Sequence, residues 1–420
     1  MAEQAAPESA RSDRMRLVFI NRFYAPDLSA TSQILTDVAE MLVASGYQVT
    51  VFTSGISYDG RERFRNRETI NDVDVRRIWT TRFGRSSTLG RAIDYLTFYV
   101  SAFFVLFFQA SRRDLLIVKT DPPMLSIPVG IITRIKHLKT VNWLQDVFPE
   151  VAEELSDSAG NNPLIGMLKF LRNRSLRRAA ANICIGKKMA EKVETFGVQK
   201  GQIHVIENFA DDHAIRDRTD YSPELRSNWG ISQSDFIIGY SGNLGRAHDL
   251  DTILGAASRL RDHQHIKFLF IGGGHLRDRL ANAINEGNLD NILLKPYQPR
   301  EKLPESLGLP NVHWASLNPD LEGLIVPSKA YGIAAAGRPL LMIGDLSGEI
   351  GAKVVQHGFG SCFRPGDIEA VSEYILHLSQ SPTLLTELNE NARVYLEQHA
   401  SKKHAFANWR KLIEHLHSAD

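Results

Sequence analysis

The sequence predicts an α/β protein made of two Rossmann-like, doubly wound domains facing one another across a cleft. Three observations predict this. The chain has 420 residues, more than the roughly 250–300 that one hydrophobic core accommodates. Short β-branched runs alternate with amphipathic helical patterns along its length, as in parallel sheets covered on both faces. After a polar interruption near the middle, the same plan starts again.

Taken in order, Arg16-Leu-Val-Phe-Ile20 reads as a buried strand. A helix follows over about 32–45, then a turn and second strand within 46–52. Further strands are predicted at 73–78, 115–119, 140–144, 181–185 and 204–207, with helices between most of them. The least periodic stretch, 210–227, crowds Asp211, Asp212, Arg216, Asp217, Arg218 and Asp220. Beyond it, strands are predicted at 236–240, 267–271, 292–294, 312–315 and 340–343, with a helix over about 249–260. Two last helices, 382–399 and 402–418, follow a complete second sheet and can pack back across the linker. The predicted organisation is a disordered leader at 1–14, a first domain at 15–210, a linker at 211–227, a second domain at 228–400 and a terminal helix at 401–420.

Composition excludes several classes. Apolar residues make up 43% and charged residues 23%, the balance of a globular protein. With 49 basic and 48 acidic residues the net charge is +1, so no nucleic-acid partner is expected. Cys184 and Cys362 stand far apart in apolar stretches, which argues against a disulfide framework and for a reducing compartment. The leader lacks the apolar run of a signal peptide. The charge-free window 95–108 is shorter than the about 20 residues that cross a bilayer. A cytoplasmic location is expected.

Ligands of open α/β sheets bind beyond the carboxyl ends of the strands. Four stretches fall there: Arg22 to Thr31, Ser241-Gly-Asn-Leu-Gly-Arg-Ala-His248, Gly272-Gly273-Gly274, and Glu322-Gly-Leu-Ile-Val-Pro-Ser-Lys329. In the last, Pro327 suits the first turn of a helix, whose free amides with Ser328 would bind an anion. Lys329 adds positive charge, and Glu322 is an acceptor for sugar or ribose hydroxyls. Gly242 and Gly245 would let the backbone approach a diphosphate, with Arg246 and His248 as charged contacts. An ordinary strand-to-helix turn capped by Asp249 explains that loop equally well.

At these residues the sequence resembles the retaining glycosyltransferases of the large bacterial family 4, which have the GT-B fold. Tyr24-Ala-Pro26 resembles that family's first-loop motif, Asn208-Phe-Ala-Asp211 its domain junction, the 272–274 triplet its glycine turn, and 327–339 its donor-binding helix. The run Trp143-Leu-Gln-Asp-Val-Phe-Pro-Glu150 is most similar to transferases of colanic acid, O-antigen and other exopolysaccharides. The resemblance implies transfer of a sugar from a nucleoside diphosphate sugar with retained configuration, without metal or other cofactor. The donor would bind the second domain and the acceptor the first. Glu322 then corresponds to the first glutamate of the paired-glutamate motif, and Ser328 and Lys329 face the nucleotide, with Gly273 in the glycine turn. Four departures stand out. Ala330 or Gly332 occupies the place of the second glutamate. Asn243 and His248 replace the usual basic pair, leaving Arg246 to neutralise the diphosphate. Leu28-Ser29-Ala30 replaces paired glycines, and Gln145, beside Asp146, replaces a histidine. Glu322, Asp146 and Arg246 are the catalytic candidates; Asn243, His248, Gly273, Ser328, Lys329, Glu150 and Ser29 are the substrate-binding ones. Asp146 and Glu150 would contact acceptor or act as structural caps, two readings of equal weight.

Asp72/Asp74 and Asp249/Asp251 match a metal-binding Asp-x-Asp pair but read better as turn and capping residues. Arg82, Arg85, Arg91, Arg112 and Arg113 bracket the aromatic run 95–108, and 164–178 interleaves leucines with five basic residues. The aromatic run alone reads as a core helix. Two such segments in one domain predict contact with an anionic membrane, on the cytoplasmic face, and hence a lipid-linked glycan acceptor. The rival functions are a nucleotide-sugar epimerase on the same fold and a non-catalytic two-lobed binding protein.

Overall fold

The computed structural model describes residues 15–27, 29–84, 87–156, 163–210, 215, 223–287 and 289–418. The expected leader, most of the expected linker, Leu28 and Arg85 lie outside the described residues. The chain divides into two units. One comprises Met1–Glu153, Ser158–Ile206 and Phe406–Asp420; the other comprises Glu154–Asp157 and Glu207–Ala405.

In the first unit the strands are β1 (Arg16–Ile20), β2 (Gln48–Ser54), β3 (Arg67–Ile70), β4 (Val73–Ile78), β5 (Asp114–Lys119), β6 (Lys139–Leu144), β7 (Ala181–Cys184) and β8 (Ile203–Val205). They form one sheet in the order β3-β4-β2-β1-β5-β6-β7-β8. All neighbours are parallel except β3, which runs antiparallel to β4. Sequence reading missed β3 because Arg67-Glu-Thr-Ile70 is a half-exposed edge strand with no apolar run. The chain order reverses between β1 and β5, a topological switch point. The helices used below are α1 (Ala30–Ala44), α2 (Thr88–Gln109), α3 (Ser126–Lys136), α4 (Glu150–Glu154) and α5 (Pro163–Arg178). The helix Lys402–Ser418 contributes Trp409, 1% exposed, to this unit. Its ring meets Trp143 of β6 edge-on at 4.7 Å and Phe19 of β1 at 6.2 Å.

Helix α2 corrects two expectations. It runs for 22 residues, and its Leu89–Gln109 stretch is long and apolar enough to cross a membrane by length and composition. It is also more than a core helix. Phe98, Ala102 and Leu106 are buried against the sheet. The opposite stripe, Leu96, Val100, Phe104 and Phe108, is exposed.

The second unit contains β9 (Phe236–Asn243), β10 (Ile266–Gly273), β11 (Ile292–Lys295), β12 (Val312–Ser316), β13 (Leu340–Ile343) and β14 (Gly360–Phe363). Its sheet order is β11-β10-β9-β12-β13-β14, parallel throughout. Sequence reading missed β14, whose Gly-Ser-Cys-Phe is only half-buried. Tyr240, Phe270 and Trp314 pack together beneath the carboxyl ends of β9, β10 and β12, with Tyr240 and Trp314 ring centres 4.7 Å apart. The switch point lies between β9 and β12.

Candidate functional site

The end of β9 owes its shape to glycine. Gly242, Gly272 and Gly274 have φ of 125°, 128° and 132°, where side-chain-bearing residues are strained. A Cβ on Gly274 would lie 2.4 Å from the Leu244 carbonyl oxygen, and one on Gly272 would lie 2.3 Å from that of Gly242. The two glycine loops therefore pack backbone to backbone, and the Leu244 amide donates to Gly273 O at 2.7 Å. Gly273 faces the exposed ring of Tyr297, which would stand 3.2 Å from a Cβ there.

Lys329 enters beneath this loop. Its ammonium donates to Tyr240 Oη at 2.8 Å, to His248 Nε2 at 3.1 Å and to the Asn243 carbonyl at 3.2 Å. A Cβ on Gly242 would lie 2.8 Å from Lys329 Cε. Burial lowers the ammonium pKa to about 8. His248 Nδ1 donates to the Ser316 carbonyl at 2.7 Å, so the neutral ring presents its other nitrogen to Lys329. Burial first, and then the Lys329 charge, holds the imidazole down at about 4. The two basic positions expected after β9 hold Asn243 and a neutral histidine; Lys329 supplies the positive charge beside them. Its three protons are already donated, so it acts as a point charge under the loop.

Glu322 follows β12. Its Oε1 accepts the Glu349 amide at 2.7 Å, capping the helix Glu349–Gln356. Its Oε2 would lie 2.5 Å from a Cβ on Gly348, so a side chain there would displace the carboxylate from its present position. Burial raises the carboxyl pKa, opposed by the amide and reinforced by Glu349 and Asp345. The expectation for Pro327 and Ser328 needs correction. The helix begins at Lys329 and has 7 residues, so Pro327 precedes it instead of occupying its first turn. Ser328 is its N-cap by position, exposed and without a side-chain capping bond. A helix of about two turns is a weak anion site.

Arg246 and Asn243 are exposed. Arg246 and His248 line an open groove of 660 Å³ with Asn318, Asp345 and Arg364. Sequence reading missed Arg364, which follows the unrecognised strand β14, and Tyr240, which looked like ordinary core. Asp249 is the helix cap of the alternative reading: its Oδ1 accepts the Asp251 amide at 2.9 Å and the Thr252 amide at 3.3 Å. Asp251 pairs with Arg279, and Asp74 with Arg76 at 2.8 Å. Ala330 is buried and Gly332 has no carboxylate to offer in place of the second glutamate.

In the first unit, Glu150 opens α4 and its Oε1 accepts from Arg172 of α5 at 2.6 Å, in a largely buried pair. Arg172 also donates to Phe148 O at 2.9 Å. This arginine, counted in sequence among the basic surface residues, is structural. Ser29 caps α1, its hydroxyl accepting the Ser32 amide at 3.4 Å. Asp146 lies beyond β6, where burial lifts its carboxyl to about 7 against a hydrogen bond from Thr120. Lys119 is 1% exposed and donates to Thr31 O at 2.8 Å. Burial lowers it to about 7, opposed by Asp121 and Asp146.

Asp146 keeps its proton to about pH 7 when folded but only to its ordinary 3.8 when unfolded. Its stabilising contribution is thus full below the lower value and lost as pH rises through the upper one. Asp146→Asn should therefore gain stability relative to the parent between pH 5 and pH 8, by on the order of 2 kcal/mol. Thermal melts at the two pH values test this; a constant difference refutes it.

Two switch-point sheets, each with loops at its strand ends, and a cation buried under a glycine loop define a two-domain α/β class built to bind ligands at its strand ends. A model of the "Glycosyl transferase 4-like domain" matches residues 30–208, and one of the "Glycosyl transferases group 1" matches 222–395. The chain belongs to these family 4 glycosyltransferases of GT-B fold. It is 24% identical over 402 residues, 93% of this chain and 97% of the relative, to WcaI of Escherichia coli, a glycosyl transferase provisionally named for colanic acid biosynthesis. Among solved structures, sucrose-phosphate synthase of Thermosynechococcus elongatus superposes with a TM-score of 0.78 at 16% identity, covering 97% of this chain and 100% of that one. Anabaena HepE, solved with UDP-glucose, gives a TM-score of 0.70 at 13% identity over 96% of this chain and 100% of its own.

Proposed function

We propose that this glycosyltransferase moves a sugar, with retained configuration and without a metal, from a nucleoside diphosphate sugar to a lipid-linked glycan during surface polysaccharide assembly. The observation that carries the reading is Lys329, a desolvated cation pinned against the Gly242 backbone at the β9–β12 switch point. Such a charge is positioned to stabilise a departing diphosphate. HepE, which binds UDP-glucose, shares the fold and supports a nucleotide-sugar donor. In the proposed step the bond from the anomeric carbon to the diphosphate oxygen breaks. The acceptor oxygen bonds to the same face of that carbon and passes its proton to the leaving diphosphate. Arg246 and Lys329 hold the charge, and Glu322 orients the sugar hydroxyls. Asn243, His248, Gly273 and Ser328 shape the nucleotide pocket, while Asp146, Ser29 and the Glu150–Arg172 pair serve the acceptor domain.

The lipid-linked acceptor rests on the outer stripe of α2. A helix apolar on both faces, packed on a sheet by one of them, leaves the other for a membrane. Because Phe98, Ala102 and Leu106 belong to the core, α2 would lie in the membrane surface and not cross it. The protein would then be peripheral on the cytoplasmic face. The epimerase and binding-protein readings are separated by one assay, using purified protein, a panel of nucleotide sugars, membrane lipid extract and EDTA. Lipid-dependent, EDTA-insensitive nucleotide release is expected; isomerisation of donor without lipid, or binding without turnover, overturns the proposal.

A further inference from the structure

Helices α3 and α5 lie side by side in the first unit, with a Cβ on Gly130 of α3 only 3.8 Å from Ser175 Cβ of α5. Above this close approach opens a groove of 640 Å³. Its lining includes Ile131, Ile135 and Leu171, together with Arg134, Arg174 and Arg178, and among the described residues it contains no carboxylate. Ile131 and Ile135 are 51% and 54% exposed. Met167 and Phe170 of α5 are exposed as well.

The charges are what set this groove apart. Three other cations on these helices are satisfied locally: Lys169 by Glu153 at 2.6 Å, Arg172 by Glu150 at 2.6 Å, and Lys136 by the Phe107 carbonyl at 2.7 Å. Arg134, Arg174 and Arg178 are exposed, and among the described residues none of the three makes an ion pair. The Arg178 guanidinium is held below its ordinary value, by desolvation and then by the charges of Arg174 and Arg134. Three like charges gathered over an apolar floor call for an anion that carries its own apolar body.

We infer that the α3–α5 groove binds the phosphate headgroup of an anionic membrane lipid, with Arg134, Arg174 and Arg178 around the phosphate and Ile131 and Ile135 against its acyl chain. This deepens, and rests on, the reading that the α2 face docks on a membrane. Charge complementarity decides the occupant. A free phosphate would leave the exposed isoleucines in water, and a neutral lipid would leave the arginines unpaired. Guanidinium groups also match phosphate geometry through paired N–H donors.

The test is flotation of the full chain with vesicles of phosphatidylcholine alone and of phosphatidylcholine mixed with phosphatidylglycerol. The parent should partition onto the mixed vesicles, and excess inorganic phosphate should not displace it. The triple variant Arg134→Gln, Arg174→Gln, Arg178→Gln alters only exposed side chains and should keep the parent's melting temperature. It should lose roughly 100-fold in partitioning, at about fivefold for each basic residue near an anionic surface. Ile131→Ser with Ile135→Ser should weaken binding to the mixed vesicles while leaving the preference for anionic lipid. If parent and triple variant bind both vesicle types equally, membrane docking stands and the headgroup site falls. If the parent binds neither, both fall. Displacement by inorganic phosphate would reduce the groove to a simple anion site and overturn the inference.

Discussion

Replacing Lys329 with methionine should abolish transfer yet leave the protein at least as stable as the parent at neutral pH. The ammonium is buried and donates to Tyr240, His248 and the Asn243 carbonyl. Its pKa falls from the ordinary 10.5 to about 8. The unfolded chain therefore holds this proton more tightly than the folded one. The group's stabilising contribution is present above pH 10.5 and is lost as pH falls through 8, so the full desolvation cost is borne at pH 7. Methionine keeps the length of the side chain and removes that cost. Setting the orphaned His248 nitrogen against it, the net gain is about 1–2 kcal/mol. The variant's advantage in thermal melts should shrink between pH 7 and pH 10. Turnover should fall by about 10²–10³, the loss typical of removing one charge-stabilising group. A variant that retains parental turnover would take Lys329 out of the diphosphate site.

Glu322 should separate fold from chemistry in the opposite way. Its carboxylate both caps the helix Glu349–Gln356 and carries a second oxygen, on a half-buried side chain. Glu322→Gln keeps an acceptor for the Glu349 amide, so its melting temperature should stay near the parent's. Glu322→Ala loses the cap and should cost about 1–2 kcal/mol. If Glu322 grips donor hydroxyls in the transition state, both variants should lose at least about 100-fold in kcat/KM. If its role is only to cap the helix, Glu322→Gln will transfer sugar normally and only Glu322→Ala will suffer. Steady-state kinetics of the two variants beside their melts distinguish these outcomes.

Much of the architecture was legible in the sequence because buried strands advertise themselves. β1, β4 and β13 were read with their observed bounds, since Leu17, Val75 and Leu341 belong to continuous apolar or alternating runs. Edge strands β3 and β14 were not, because half-exposed strands need no such run. The site was legible only in part. Glycines at 242 and 272–274 announced a tight backbone approach, and positive φ at Gly242, Gly272 and Gly274 is why glycine is required. Nothing in the spacing from His248 to Lys329 says that their side chains meet at 3.1 Å. Likewise, Glu150 and Arg172 read as separate charges until α4 and α5 bring them together.

By itself, the sequence determined the alternation of strands and helices, the family, and which loops end the strands, all of which follow from local periodicity and motif. Only the tertiary structure decided which charges are spent and which are available. Lys329 shares its protons inside the protein, Glu150 is neutralised by Arg172, and Arg134, Arg174 and Arg178 stand together with no counter-charge among the described residues. The physical reason is that burial and partner distance set the state of an ionisable group. Both depend on chain segments remote in sequence, and no residue carries that information alone.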